Sequence, residues 1–125
     1  MGCYSVARVM IVDDMVVIQE ILVEILSLKG HDVIFTANDG QQAIDYYADN
    51  NNLRPDLIIL DHRMPGKDGV TTLKELMEID GAVKVVFVSA DESARNEALT
   101  IGAVDYLVKP FSVKAILTLI EKITN

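Results

Sequence analysis

The residues best suited to chemistry in this sequence are three carboxylates, a hydroxyl and an ammonium group, each placed just after an apolar run. Asp13 and Asp14 follow the first run, Asp61 follows four aliphatic residues, Ser89 ends a later run and Lys109 ends the last. A carboxylate can attack a phosphoryl group, and an ammonium and a hydroxyl can stabilise the oxygens being transferred. Brought together, these groups favour phosphoryl transfer to a carboxylate.

The same carboxylates favour a bound cation. Three carboxylates held close together repel one another, so keeping all of them ionised is costly. Oxygen ligands without cysteine or histidine suit Mg²⁺. Each residue also has a simpler interpretation: Asp14 could cap the next helix, Ser89 could belong to a turn, and Lys109 could be a solvated surface lysine. Their joint placement favours the chemical interpretation.

The spacing of apolar residues predicts five strands that alternate with five helices. An unalternated apolar run is typical of a strand buried on both faces, and the run that ends at Asp61 is the clearest example. Gly30 is predicted to end the first helix, Asn38 and Gln41 to form a capping box, and Ser112 to cap the last helix. We predict strands at 6–12, 32–35, 57–61, 83–88 and 104–108, and helices at 15–29, 38–49, 70–79, 91–101 and 113–124.

This alternation predicts an α/β fold with a doubly wound, five-stranded parallel sheet and helices on both faces. The order expected for such a sheet is the flavodoxin-like 2-1-3-4-5. Strands one and three then flank a crevice at the carboxyl edge, where open α/β sheets bind ligands. The candidate residues, far apart in the chain, are expected to converge at that edge.

Composition narrows the function further. A chain of 125 residues suits one domain, and a net charge of −8 argues against direct binding of nucleic acid. No apolar run is long enough to insert into a membrane. Cys3 is the single cysteine, so an internal disulfide is excluded and a cytoplasmic location is expected. No glycine-rich dinucleotide loop or Walker-type loop occurs.

The motifs together resemble the receiver domain of two-component response regulators. The resemblance extends over the whole chain, so we expect a single receiver domain at 1–125 with no output domain. The matching residues are Asp13-Asp14, Asp61 followed by Met64-Pro65 and Asp68-Gly69, Ser89-Ala90, and Lys109-Pro110.

The resemblance implies a role for each acidic residue. Asp61 corresponds to the residue that receives the phosphoryl group. Asp14 and Asp61 correspond to direct Mg²⁺ ligands, together with the backbone carbonyl of Arg63. Asp13 corresponds to the acid that holds a metal-bound water. Mg²⁺ is therefore the expected cofactor.

The resemblance also implies roles for residues of the last two strands. Ser89 and Lys109 correspond to the pair that contacts the phosphoryl group. Tyr106 corresponds to an aromatic switch, although a tyrosine with a half-buried ring is equally ordinary on a last strand. The Lys109–Pro110 peptide is expected to be cis.

The implied function is signalling. The protein is expected to accept a phosphoryl group from a histidine kinase or histidine phosphotransfer protein and then to change its binding to a downstream protein. It would catalyse only its own phosphorylation and dephosphorylation. One alternative is a metal-dependent phosphohydrolase, but such enzymes carry an aspartate two residues after the nucleophile, where this chain has Arg63. Another is an interaction module independent of phosphorylation, which the complete residue set disfavours.

Two partner surfaces are expected. The first helix has more apolar residues than one buried face requires, and exposed apolar residues can mark a binding surface. We predict that its start, above all Met15 and Ile18, docks the helical hairpin of a phosphotransfer partner. The second surface comprises the fourth helix, fifth strand and fifth helix, with Ala115 and Leu119 at the edge of the last helix's apolar stripe.

Overall fold

The computed structural model describes residues 6–124 and has the predicted architecture. Five parallel strands form one sheet in the order β2-β1-β3-β4-β5. Strands β1, β3 and β4 lie inside the sheet, and every residue of β3 and β4 is buried. The elements are β1 (Arg8–Val12), α1 (Val16–Leu28), β2 (Asp32–Ala37), α2 (Gly40–Ala48), β3 (Leu57–Asp61), α3 (Gly69–Ile79), β4 (Val85–Ser89), α4 (Glu92–Ile101), β5 (Asp105–Val108) and α5 (Val113–Thr124).

The helices cover the two faces of the sheet and enclose two aliphatic cores. One core joins α1 and α5 to one face, with Leu26 and Ile120 almost completely buried. The other joins α2, α3 and α4 to the opposite face around Phe87, which is also fully buried. Alternating side chains of the central strands supply both cores, which explains why their sequences are apolar without a break.

The helix ends show where the predictions were right and where they were displaced. Gly30 ends α1 with a positive φ of 82°, and its N–H donates to the Ser27 carbonyl, as expected for a glycine cap. The cap of α2 lies one residue later than predicted, and the glutamine that binds back to the backbone is Gln42 rather than Gln41. Asp39 accepts from the Gln42 N–H at 2.8 Å, and the Gln42 side chain accepts from the Asn38 N–H at 2.8 Å. Because Asp and Asn cap equally well, the sequence did not distinguish them.

Strand boundaries differ from the prediction by at most two residues. Strand β1 begins at Arg8 rather than at residue 6, and β4 begins at Val85 rather than at residue 83. Strand β2 continues to Ala37 because it pairs with β1 along its length. Pairing with neighbouring strands therefore sets where each strand begins and ends, and composition alone does not reveal that pairing. The predicted role of Ser112 is confirmed, since its hydroxyl accepts from the Ala115 N–H at 3.0 Å.

The last helix differs from the prediction in the burial of two residues. The spacing of apolar residues in this helix predicts one buried stripe, with Leu119 at its edge, formed by Val113, Ile116, Leu117, Ile120 and Ile123. Val113 is instead 52% exposed, and Leu119 is buried. Within residues 6–124, no helix combines the length and apolar character needed to cross a membrane. Cys3 lies outside the described residues.

Lowering the pH below about 6.5 is expected to destabilise the fold through His31. The buried ring accepts the Ala7 N–H at Nδ1 over 3.0 Å, which requires an unprotonated Nδ1. Burial lowers the pKa of His31 below its ordinary 6.5, and the Glu121 carboxylate opposes this shift. The unfolded chain therefore binds the proton first, so stability is retained above pH 6.5 and decreases as the pH falls toward the folded-state pKa.

Denaturant unfolding at about pH 7.5 and about pH 5.5 measures this effect. In a His31→Gln variant the amide oxygen can accept the same N–H but does not titrate. The difference between the two proteins therefore isolates His31 from the carboxylates. Parallel loss of stability in both proteins would show that His31 does not contribute.

Candidate active site

Three carboxylates converge where β1 and β3 end, as the predicted strand order requires. Each of Asp13, Asp14 and Asp61 offers an oxygen, and these three oxygens all lie within 4.8 Å of one another. Asp13 and Asp61 are each only 4% exposed, whereas Asp14 faces solvent. Asp61 lies 47 positions after Asp14 in the sequence. The parallel pairing of β1 with β3, in which Val12 lies beside Leu60, brings these carboxylates together.

Burial sets the electrostatics of this carboxylate cluster. It raises the pKa of Asp13 above its ordinary value, and the Met15 N–H, which donates to Asp13 Oδ1 at 2.9 Å, opposes that shift. Burial likewise raises the pKa of Asp61, the Lys109 ammonium lowers it, and the Asp14 charge adds a smaller increase. The ionised cluster is therefore costly as it stands.

The cluster has the composition expected of a magnesium site. All three donors are hard carboxylate oxygens, and no sulfur or imidazole belongs to the group that converges here. A divalent cation among them would offset both the burial cost and the mutual repulsion. The residues present therefore fit Mg²⁺.

The simpler interpretation of Asp14 as a helix cap does not hold. The cap position of α1 is occupied by Met15, which provides no side-chain hydrogen bond to the helix. The N–H of Met15 is instead bound by Asp13. Asp14 is thus left at the open side of the cluster, free of a capping role.

Lys109 reaches the same cluster from β5. Its ammonium forms an ion pair with Asp61 Oδ1, and its side chain is about one-third exposed. It is therefore not a solvated surface lysine. The Lys109–Pro110 peptide is cis, which confirms that prediction.

Ser89 lies at the end of β4 and is 3% exposed. Its hydroxyl oxygen accepts the N–H of Asp91 at 3.0 Å, so the turn interpretation describes one of its interactions. That bond uses only an acceptor site, and the hydroxyl proton can still be donated. The two interpretations of Ser89 are therefore compatible.

An open hollow of about 460 Å³ lies at the mouth of the site. Arg63 lines it, as do Asp68 and Asp91, which our sequence interpretation did not assign to the site. Both aspartates are helix caps, accepting from Thr71 and Ser93 N–H groups. An aspartate just before a predicted helix on the carboxyl edge of the sheet is the sequence feature that could have identified them.

Gly69 fixes the loop that follows Asp61. A Cβ at this position would lie 2.6 Å from the Asp61 carbonyl oxygen and 2.6 Å from the His62 Cα. The Gly69 N–H donates to the His62 carbonyl at 2.8 Å. A close backbone contact thus closes the loop and places the start of α3 against the end of β3.

Tyr106 lies on β5 and is 37% exposed. Arg95 of α4, which our sequence interpretation missed, lies over that ring with its guanidinium carbon 5.3 Å from the ring centroid. Arg95 follows Ser89 by six residues, and no pattern in the sequence distinguishes it from other surface arginines.

The predicted partner surfaces are partly exposed. At the start of α1, Met15 is 54% exposed, whereas Ile18 is half-buried against the core. Val17 and Ile21 extend the exposed apolar surface along the same helix. On the other predicted surface, Tyr106, Ala115 and Leu119 line a hollow of about 450 Å³, together with neighbouring residues of α5.

Comparison with known sequences agrees with this geometry. A family model described as the response regulator receiver domain matches residues 9–121. The chemotaxis protein CheY of Bacillus subtilis is 36% identical over 120 residues, which cover 94% of this chain and 98% of that protein. The sporulation initiation phosphotransferase F of the same organism is 32% identical over 117 residues, covering 92% of this chain and 91% of that protein.

Solved structures give the same result. One chain of the CheX–CheY–BeF3–Mg²⁺ complex from Borrelia burgdorferi superimposes with a TM-score of 0.85 at 34% identity. The alignment covers 93% of this chain and 87% of that one. The order of the strands, the acidic site at their carboxyl ends and the family match agree, and the chain belongs to the response regulator receiver domain family.

Proposed function

We propose that this receiver domain accepts a phosphoryl group on Asp61 from a histidine kinase or histidine phosphotransfer protein. The observation that carries the proposal is the surroundings of Asp61. Its buried carboxylate is paired with Lys109 and lies beside two further carboxylates at the end of a central strand. An interaction module independent of phosphorylation would not need this costly group of charges.

In the proposed reaction, an Asp61 carboxylate oxygen attacks the phosphorus of a phosphohistidine. A P–O bond forms, the P–N bond breaks, and its electron pair stays on the departing imidazole nitrogen. In this proposal, Lys109 and the Ser89 hydroxyl would stabilise the phosphoryl oxygens. Attack by water on the aspartyl phosphate would later release inorganic phosphate and restore Asp61, so the chain acts only on its own carboxylate.

Asp14, Asp61 and the backbone carbonyl of Arg63 would hold Mg²⁺, with Asp13 binding one of its waters. When bound, this ion neutralises charge on the phosphoryl oxygens. The chain's own contribution is to hold the three carboxylates at a fixed separation and to keep Lys109 against Asp61.

The direct test is labelling by a small acyl phosphate. Incubation with acetyl phosphate and Mg²⁺, followed by borohydride trapping and peptide mass spectrometry, is expected to locate the modification at Asp61. Phosphate-ester turnover, assayed in parallel, is expected to remain at background because Arg63 occupies the position where a phosphohydrolase has its second acid. Turnover of an added ester would instead favour the phosphohydrolase alternative.

Output is proposed to occur through Tyr106. Phosphorylation places strong acceptor oxygens near Ser89. Movement of the Ser89 hydroxyl toward them would leave space into which the Tyr106 ring could turn, as a shift between two states. The affected surface would be α4, β5 and α5, including the hollow beside Ala115, and its partner a downstream protein in the cytoplasm rather than nucleic acid.

Structures with and without a phosphoryl mimic are expected to differ in the Tyr106 side chain. The ring should be exposed without the mimic and turned inward with it, and amide shifts should change across α4, β5 and α5. An unchanged Tyr106 rotamer with unchanged amide shifts would show that output uses the loops around Asp61 instead.

The start of α1 is proposed to dock the helical hairpin of the phosphoryl donor, with Met15 and Ile18 as contacts. Replacing Met15 or Ile18 with alanine is expected to slow phosphotransfer from the cognate donor about tenfold, as for loss of an interface anchor. Met15→Ala is the cleaner variant because Ile18 also packs against the core. Labelling by acetyl phosphate should be unaffected by Met15→Ala.

Leu28→Ala is the matched control. Leu28 is 80% exposed at the other end of the same helix, so its loss removes a similar apolar surface away from the site. Equal rates for Met15→Ala and Leu28→Ala would contradict docking at the start of α1.

A further inference from the structure

Arg95 connects the two residues proposed to transmit the phosphorylation signal. Its half-buried guanidinium donates through Nη1 to the Ser89 carbonyl at 3.1 Å. The same group lies over the Tyr106 ring, with 5.3 Å between the guanidinium carbon and the ring centroid. One side chain of α4 thus contacts the end of β4 and the exposed ring of β5.

The Ser89 carbonyl accepts hydrogen bonds from two other elements, one of them from Arg95 of α4. It also accepts the Lys109 N–H at 3.3 Å, which joins β4 to β5 beside the ion pair with Asp61. Any displacement of Ser89 toward the acidic site therefore moves an acceptor of Arg95. The hydroxyl of Ser89 accepts the Asp91 N–H, and its carbonyl accepts from the Arg95 guanidinium.

The position of Tyr106 explains why the arginine matters. In the β4–β5 register Tyr106 pairs with Phe87, two residues before Ser89, so all three side chains lie on the face covered by α4. Tyr106 remains 37% exposed with its ring beneath the guanidinium. A cation over an aromatic face is attracted to it, and this attraction is available only while the ring stays in its outward position.

We propose that Arg95 is a latch that stabilises the outward position of Tyr106 in the unphosphorylated protein and links it to the position of Ser89. This inference rests on the proposed function in that the inward state is the one favoured by a phosphoryl group. Arg95 is a positioning residue in this scheme, since it acts through Ser89 and Tyr106 and not on the phosphoryl group.

The latch predicts the direction in which the affinity for a phosphoryl mimic changes when Arg95 is replaced. Removing it withdraws stabilisation from the outward state alone, so a larger fraction of the protein has the ring inward before any ligand binds. A ligand that favours the inward state must then bind more tightly. From the strength of an exposed cation–π contact, we expect Arg95→Met to tighten binding of beryllofluoride, a phosphoryl mimic, about two- to fivefold in the presence of Mg²⁺.

The experiment uses the full chain and two readouts. Beryllofluoride affinity is measured by titration with Mg²⁺ present, and the Tyr106 χ1 populations are measured by NMR without Mg²⁺ or mimic. Arg95→Met should increase the inward population in the second measurement. Arg8→Met is the control and should change neither readout. It removes an exposed arginine that pairs with Asp56 at the amino ends of the strands, far from the acidic site at their carboxyl ends.

A double-mutant cycle separates the latch from a merely structural role. Tyr106→Leu removes the ring, so the effect of Arg95→Met on beryllofluoride affinity should largely disappear in that background. The same effect in both backgrounds, or an unchanged Tyr106 rotamer in Arg95→Met, would overturn the latch. If no variant binds beryllofluoride, the proposed phosphorylation fails, while the NMR measurement still decides the latch.

Discussion

Replacing Asp61 with asparagine is expected to reduce labelling by acetyl phosphate to background. The amide keeps the size of the carboxylate but is a poor nucleophile, and it removes the charge that pairs with Lys109. Among residues 6–124, Asp61 is the carboxylate that forms the ion pair with Lys109, and Ser89 ends the strand that pairs with its own. Intact mass after incubation with acetyl phosphate and Mg²⁺ measures the loss.

Asp68→Asn is the matched control for this variant. It also removes one carboxylate at the mouth of the site, but asparagine keeps an oxygen that can cap α3. Its labelling should remain close to that of the unmodified sequence. Full labelling of Asp61→Asn, with the phosphoryl group on another residue, would refute Asp61 as the acceptor.

Replacing Asp14 with alanine is expected to weaken Mg²⁺ binding at least about tenfold, since even outer-shell changes can cost this much. Asp14 is the solvent-facing member of the carboxylate cluster and is not the cap of α1, so its loss should remove a ligand without affecting the helix. Labelling by acetyl phosphate should decrease with it, and chelation of Mg²⁺ should have the same effect on the unmodified protein. Calorimetric titration with Mg²⁺ measures the affinity.

Asp91→Asn provides the comparison for charge alone. Asp91 lines the same hollow and caps α4, and asparagine preserves the cap while removing one negative charge. If Asp14→Ala and Asp91→Asn weaken Mg²⁺ binding equally, the effect of Asp14 is a general electrostatic one and not coordination. Unchanged affinity in Asp14→Ala would exclude it as a ligand.

The order of the strands was predictable because each prediction depended on local composition and on general rules for connections. The apolar run before Asp61 is typical of a strand buried on both faces, and its alternation with helices predicts parallel pairing, for which 2-1-3-4-5 is the expected order. Once the order was fixed, the carboxyl ends of β1 and β3 had to be neighbours. The convergence of Asp13, Asp14 and Asp61 followed from the sequence for that reason.

Features that depend on contacts between distant segments were not predictable. The cap of α2 was displaced by one residue because Asn38 and Asp39 have similar intrinsic preferences, and in the fold Asn38 Oδ1 accepts from the Gln19 side chain while Asp39 caps the helix. The burial of Leu119 and exposure of Val113 depend on how α5 lies over the sheet. A helical stripe gives the buried face only to within about a residue.

The sequence by itself determined the residue types at the strand ends, and with them the kinds of chemistry available, because a carboxylate can be a nucleophile or a metal ligand, and a hydroxyl and an ammonium can stabilise phosphoryl oxygens. Only the tertiary structure decided which of them touch. It paired Lys109 with Asp61, freed Asp14 from capping α1, and set Arg95 between Ser89 and Tyr106. The positions of these residues in the sequence do not give the distances between their side chains. The packing of α4 and β5 against β4 sets those distances.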